Sequence, residues 1–395
     1  MPDPLQPVLG GDMPFDATAL EIESRAELDV HLAKRSLSGL VVLGLHLDVD
    51  PPDLTGVDVG GALFVGCRLA GPEVEIDLIR RGAHLIPPFR ERPYPTHPAL
   101  LYTPEDLSRG FAEAGFAGMF DTLVYQHFVA HGGPVPDIRE ALSQRLHDAG
   151  IDNALGKALA AWAAVHGHEG PVGIMGGHAA PRGSAAYRMA ASLAQRLAGA
   201  GRLIVTGGGP GVMEAANLGA FFASRGTEEL AAAIDMLSGA PDFPDHEPYT
   251  AAALAVRRAF PVAATDVAGL LRHGGLALPT WLYGHEPANL FAGQIGKYFS
   301  NAVREDSILR LSRGGIVFAP GWAGTVQEIF QAATKTFYAT DGPSGAYVFL
   351  GVEHWSALPV VDLLRPLLAR SPHGDQSHLV VVTDSLDEAV AALQP

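Results

Sequence analysis

The chain has 395 residues, which is room for two to three domains. It carries 43 acidic residues against 27 Lys and Arg, a formal charge of −16, with 48% hydrophobic and only 18% charged residues. That balance excludes a largely disordered chain and argues against non-specific binding to nucleic acid or to an anionic membrane. The one cysteine, Cys67, excludes an intramolecular disulfide framework and a cysteine-based zinc site. The first residues have neither a basic nor an apolar region of the signal-peptide kind. No apolar run approaches the roughly 18–20 residues of a spanning helix. The default expectation is a soluble cytoplasmic protein.

Residues 1–100 read as a small β-rich region. Leu37–Leu47 and Gly60–Leu69 are rich in Val, Leu and Gly, with turn residues at 50–54 between them. The similar pieces starting at Leu54 and Leu69 hint at a repeat, with too few turns for a solenoid. Five prolines between Pro87 and Pro98 make a stiff connector. A helical segment follows over 101–167. Thr103-Pro104-Glu105-Asp106 supplies an N-cap, a first-turn proline and early acids. Apolar residues at helical spacing run through Phe128. After a break at 131–136, helix resumes over Ile138–Leu146 and Leu155–Val165.

From 168 to 395 strands and helices alternate. Short apolar runs at 172–175, 203–206, 275–279, 316–319, 346–350 and 378–382 predict buried strands. Helices are expected over Ala185–Leu197 and Val212–Phe222. A further helix is expected from Asn289 to Asp306, opened by the stretch from Trp281. The segment at about 227–272 reads as an insertion, either a lid or an interface element. The predicted class is α/β: a Rossmann-like domain whose mainly parallel sheet has helices on both faces.

Two turns could carry chemistry. Gly207-Gly208-Gly209-Pro210-Gly211 ends a predicted strand and opens a helix, where backbone N–H groups and the helix dipole favour an anion. The bland alternative is a tight turn that needs unusual backbone angles. The dinucleotide fingerprint fails at Val212, a P-loop fails for want of Gly-Lys-Ser/Thr, and no GxSxG elbow occurs. Pro320-Gly321-Trp322-Ala323-Gly324-Thr325-Val326-Gln327-Glu328 is the second turn. Gly321, Gly324 and Thr325 would offer donors to a phosphate. Glu328, one turn on, either faces the same pocket or is an ordinary early-helix acid. Arg304 could bind phosphate or a ribose hydroxyl, or form a surface ion pair. Met213, Glu214, His285, Asn289 and Trp322 are candidates for contact with a base or ribose. Glu286 and Asn289 could equally cap a helix. The cluster His166, His168 and Glu169 lacks metalloenzyme spacing, and neither a metal nor a cofactor is expected.

The run 207–217 together with the Pro320–Glu328 turn resembles the LOG family. These are cytokinin-activating phosphoribohydrolases, long mislabelled lysine decarboxylases, and the wider group includes bacterial nucleotide 5′-monophosphate nucleosidases. The loop 172–178, with Gly176 and Gly177, is similar to the family's opening phosphate-side loop. The resemblance covers about 168–395. It implies hydrolysis of the N-glycosidic bond of a nucleoside 5′-monophosphate, phosphate held by the glycine turns, and a homodimer with sites near its interface. It also implies Glu328 and Arg304 as the catalytic pair, Arg304 within about one residue of the family spacing. Where Trp322 stands, the family has a second glycine. That side chain either crowds the phosphate or walls the pocket. The alternative function is a nucleotide-binding sensor of the same fold that does not cleave. A pyridoxal-phosphate decarboxylase would need Lys297 or Lys335 as its Schiff base, and neither lies on an obvious cofactor motif.

Overall fold

A computed structural model describes residues 20–89, 91–283 and 287–394. These fall into two compact units. One holds 20–101 with 126–160, the other 102–125 with 161–394. The helical segment expected over 101–167 is therefore shared between them.

The first unit contains a four-stranded parallel sheet in the order β1 (Glu21–Ile22), β2 (Val41–Leu43), β3 (Leu63–Val65) and β4 (His84–Ile86). Glu21 pairs with Val41, Val41 with Leu63, and Leu63 with His84, so each rung takes up nearly the same length of chain. This is a short solenoid, which corrects the sequence expectation. The true repeat is carried by interior positions, Leu69 among them, rather than by a match of Leu54 with Leu69. Leu37, Leu40, Val42, Leu45 and Leu47 recur one coil later as Val59, Ala62, Phe64, Cys67 and Leu69, and all line one apolar core. Stacked coils must place apolar side chains at equal arc length, while their outer turns are free to differ. Here one outer turn is the irregular 48–56 segment and the next holds the helix Pro72–Arg80. Cys67 is part of this core: its thiol donates to the Val42 carbonyl at 3.3 Å. Burial pushes that thiol up to about 11.

The second unit is an α/β Rossmann-like domain. Among the described residues its seven strands are β5 (Val172–Met175), β6 (Ile204–Thr206), β7 (Leu276–Ala277), β8 (Gln294–Ile295), β9 (Ile316–Phe318), β10 (Tyr347–Leu350) and β11 (Val380–Thr383). They pair only in parallel, in the order β11-β10-β9-β5-β6-β7-β8. Nearly every strand residue is buried, as a sheet covered on both faces requires. The helices Ala185–Gly199 and Val212–Phe221 pack on each other and on this sheet. The 227–272 segment forms three helices, Thr227–Leu237, His246–Ala259 and Val267–Arg272.

Two helix expectations change. The segment 138–166 is one helix of 29 residues. The helix expected from Asn289 begins only at Asn301, behind the Ser300 N-cap, and runs to Leu311. The preceding residues instead supply β8, and Gly296 just after it donates its N–H to the Ala277 carbonyl at 2.9 Å. Gly293 explains the extended path. A side chain there would overlap the Leu270 carbonyl, so the backbone passes where a helix with side chains cannot.

Candidate functional site

The sheet order reverses at β5. From it the chain crosses first toward β6, and later returns on the other side as β9. Open α/β sheets form their ligand crevice at such a point, outside the carboxyl ends of the strands. Here three turns meet there through backbone hydrogen bonds. Ala319 N–H donates to the Met175 carbonyl at 2.9 Å, and Gly177 N–H donates to Pro320 O at 3.0 Å. Val212 N–H reaches Gly177 O at 3.3 Å. The turns after β5, β6 and β9 are thus one structure. Gly211 shows why glycine is needed: its φ is +72°, and a Cβ there would stand 2.6 Å from Gly177 O. A Cβ on Gly176 would press on Ala319 and Val212 at 3.0 Å.

Buried amides prop the β6 turn from beneath. Gly208 N–H donates to Thr206 Oγ1 at 3.0 Å, and that hydroxyl donates to Asn217 Oδ1 at 2.6 Å. Asn217 Nδ2 donates to the Gly274 carbonyl at 2.6 Å, and Asn289 Nδ2 donates to Asn217 Oδ1 at 3.0 Å. Asn289, a candidate for base recognition, is 1% exposed and belongs to this prop. Thr206 and Asn217 were not singled out from sequence. Their positions flanking the glycine run were the available signal.

Arg304 lies inside, only 4% exposed. Its Nη1 is 3.4 Å from where a Cβ on Gly207 would be, and Met213 Sδ is 2.9 Å from the same point. The guanidinium and the thioether therefore lie against the glycine turn. On the β9 side, Thr325 is buried in the first turn of the helix Ala323–Tyr338. A Cβ on Gly321 would overlap its hydroxyl, whereas Gly324 faces open space. Glu328 is half-buried on the same helix, one turn beyond Thr325. Gln327 Nε2 donates to Glu305 Oε2 at 2.8 Å. This bond joins the immediate neighbours of Glu328 and Arg304, and so ties their two helices together near the rim.

Trp322 is 75% exposed and meets His354 edge-on, with ring centroids 5.5 Å apart. His354 Nε2 lies 3.0 Å from Gly321 O and 3.3 Å from Gly321 N. Sequence reasoning missed this histidine, which follows β10 without a motif. Glu214 is placed differently from its expected role. Its carboxylate accepts from Arg182 Nε at 2.9 Å and Nη2 at 2.5 Å, from Tyr187 Oη at 2.9 Å and from Tyr249 Oη at 2.8 Å. Burial opposes the Arg182 charge, but the facing carboxylate prevails and raises its pKa. Burial first, then the Glu214 charge, pushes both tyrosines well up. With its acceptors so occupied, Glu214 anchors the helix His246–Ala259 to the glycine-turn helix rather than facing a ligand. His285 lies outside the described residues.

The remaining polar candidates are engaged elsewhere. Lys297 is buried against Asp121 at 2.8 Å, and Trp281 Nε1 donates to the same carboxylate at 2.8 Å. Lys335 pairs with Asp306 at 2.8 Å and Asp341 at 2.9 Å. Both lysines are thus taken up in ion pairs with carboxylates of the same domain. Glu169 pairs with Arg202 at 3.0 Å, and His166 stacks on Trp162. Among the described residues, no group of His, Cys, Asp and Glu could hold a metal ion, and no helix is long and apolar enough to cross a membrane.

Fold and rim define a Rossmann-like α/β domain whose glycine turns meet at its switch point. Residues 170–227, from β5 through the β6 turn and its helix, match the model of the SLOG cluster4 family. The match supports a broad SLOG-type relationship, within a superfamily that includes LOG-like proteins and nucleotide-processing enzymes. No curated protein matches the chain.

Proposed function

We propose that this protein hydrolyses the N-glycosidic bond of a nucleoside 5′-monophosphate. The observation that carries the reading is the junction of the β5, β6 and β9 turns, with Arg304 against Gly207 and Glu328 one turn beyond Thr325. The glycine turns and Thr325 would grip the 5′-phosphate, and Arg304 would neutralise it or hold the ribose. As the bond from the anomeric carbon to the base nitrogen breaks, the ribose gains oxocarbenium character. The Glu328 carboxylate would stabilise that charge and orient the water whose oxygen joins the anomeric carbon. A proton passes to the departing base, leaving free base and ribose 5-phosphate. The residues call for no metal or cofactor in this scheme. A homodimer completing the crevice is part of the same reading.

A non-cleaving nucleotide sensor is the second reading. It is favoured by Trp322, which stands exposed on the turn where the family resemblance expects glycine. Incubation with a panel of nucleoside monophosphates, with free base followed by chromatography, separates the two. Base release supports the hydrolase. Saturable nucleotide binding without any base removes it in favour of the sensor.

A further inference from the structure

The coil unit holds a cavity of about 180 Å³ whose lining is sorted by charge. His46, Arg68, Arg92 and His97 face it, and no acidic residue lines it among the described residues. In a chain of net charge −16 that is a local reversal. The larger cavity of the same unit, about 550 Å³, has the opposite character, with Asp53, Glu73 and Asp77 in its wall. Among the described residues its one cation is Arg81, which is tied down: it pairs with Asp77 at 2.7 Å and donates to the Leu54 carbonyl at 2.9 Å.

The repeat builds the smaller cavity. His46 and Arg68 are bridge partners on successive coils, so their side chains leave the ladder side by side. Gly44 and Gly66 occupy matching places on the same two coils, and each turns the chain at φ +65°. The returning segment packs over them, with the His97 carbonyl 3.6 Å from a Cβ on Gly44 and the Thr96 Cβ 3.7 Å from one on Gly66. Arg68 and His46 make no side-chain hydrogen bond or ion pair among the described residues. His97 Nδ1 is buried without a hydrogen-bond partner. Arg92 is held at the wall by an ion pair of 2.8 Å with Glu140, which is itself fully buried. An open guanidinium fork, a second fixed arginine and two imidazoles form a donor set matched to several oxygens of one anion. A single carboxylate would leave most of these donors unused.

We propose that this cavity binds a phosphoryl group, as free phosphate or as the phosphate of a small metabolite. Burial holds the His97 ring down at about 4, so near neutral pH it meets the anion as a neutral hydrogen-bonding group. The site lies wholly within the coil unit, and its existence does not depend on the hydrolase reading.

Equilibrium dialysis of the full chain with labelled inorganic phosphate tests it, with ribose 5-phosphate as a second probe. Arg304→Ala serves as the variant of the crevice, and Arg68→Ala as the variant of the coil cavity. The expected result is that Arg68→Ala lowers the number of phosphates bound by one, or weakens that site at least tenfold, also in the Arg304→Ala background. Arg68→Lys, which keeps the charge and loses the fork, should recover only part of it. His46→Gln on the neighbouring rung should weaken the same site and guards against a folding defect at Arg68, with circular dichroism as the control. Tighter binding of ribose 5-phosphate than of phosphate identifies a metabolite as the source, and equal binding identifies free phosphate. Unchanged stoichiometry and affinity in folded Arg68→Ala and His46→Gln would overturn the proposal. Failure of the crevice reading would show instead as no effect of Arg304→Ala.

Discussion

Strands β1–β4 and β5–β11 both form parallel sheets, yet glycine has a different task in each. In the coil unit, Gly44 and Gly66 share φ +65° and have nothing closer than 3.6 and 3.7 Å around their missing Cβ atoms. Only the turn demands them. In the Rossmann-like unit, Gly211 at φ +72° has a neighbouring carbonyl at 2.6 Å. There the turn and the close approach of another backbone coincide. A periodic sheet repeats one solved turn, whereas an α/β sheet brings unlike turns to one rim. Close backbone approach is what makes such a rim a place for a ligand.

The largest expected effect concerns the rim. Glu328→Gln should keep the fold and slow base release by about 10²–10⁴-fold, the range for a lost acid–base group. Turnover measured chromatographically at the wild-type rate would take Glu328 out of the mechanism. Gly211→Ala should next cost about 3–4 kcal/mol, since backbone strain adds to a clash with Gly177 O. A denaturant melt showing a loss under about 1 kcal/mol would mean that the three turns are less tightly joined than described.

Acid should act on the other unit. His97 falls from an ordinary 6.5 to about 4, chiefly by burial and then by the nearby His147. Its folded pKa lies below the unfolded value, so between those two pH values the unfolded chain takes up the extra proton. Stability therefore rises with pH through this window, and acidification across it should remove about 3 kcal/mol. His97→Gln should flatten that slope in melts from pH 4 to 7, and an unaltered slope would assign the acid sensitivity elsewhere. The smallest effect belongs to Gly44→Ala, at about 1–2 kcal/mol from the left-handed backbone alone. Equal losses at Gly44 and Gly211 would erase the distinction between the two sheets.

Much of the Rossmann-like unit was legible because its strands are short apolar runs, those at β5, β6 and β10 ending in glycine. β8 was not legible. Gln294–Ile295 is two residues long, and the apolar spacing around it also fits a helix. The glycine turns and Thr325 were readable as donors near a strand end, and Arg304 as a phosphate or ribose ligand on the helix before the last of those strands. Glu214 and Asn289 looked equally suited to a ligand. Only the partners Arg182, Tyr187 and Tyr249, and the Thr206–Asn217 prop, assign them to structure.

By itself the sequence determined which segments could be buried and which turns could approach an anion. Hydrophobic period and glycine position are local properties, set by side-chain size and backbone freedom. Tertiary structure decided which turns meet, which polar groups are already satisfied, and that the coil repeat runs through its interior, with Val42 stacked beside Phe64. Those outcomes depend on partners far apart in the chain, and desolvation lets a buried carboxylate or amide persist only where such partners close around it.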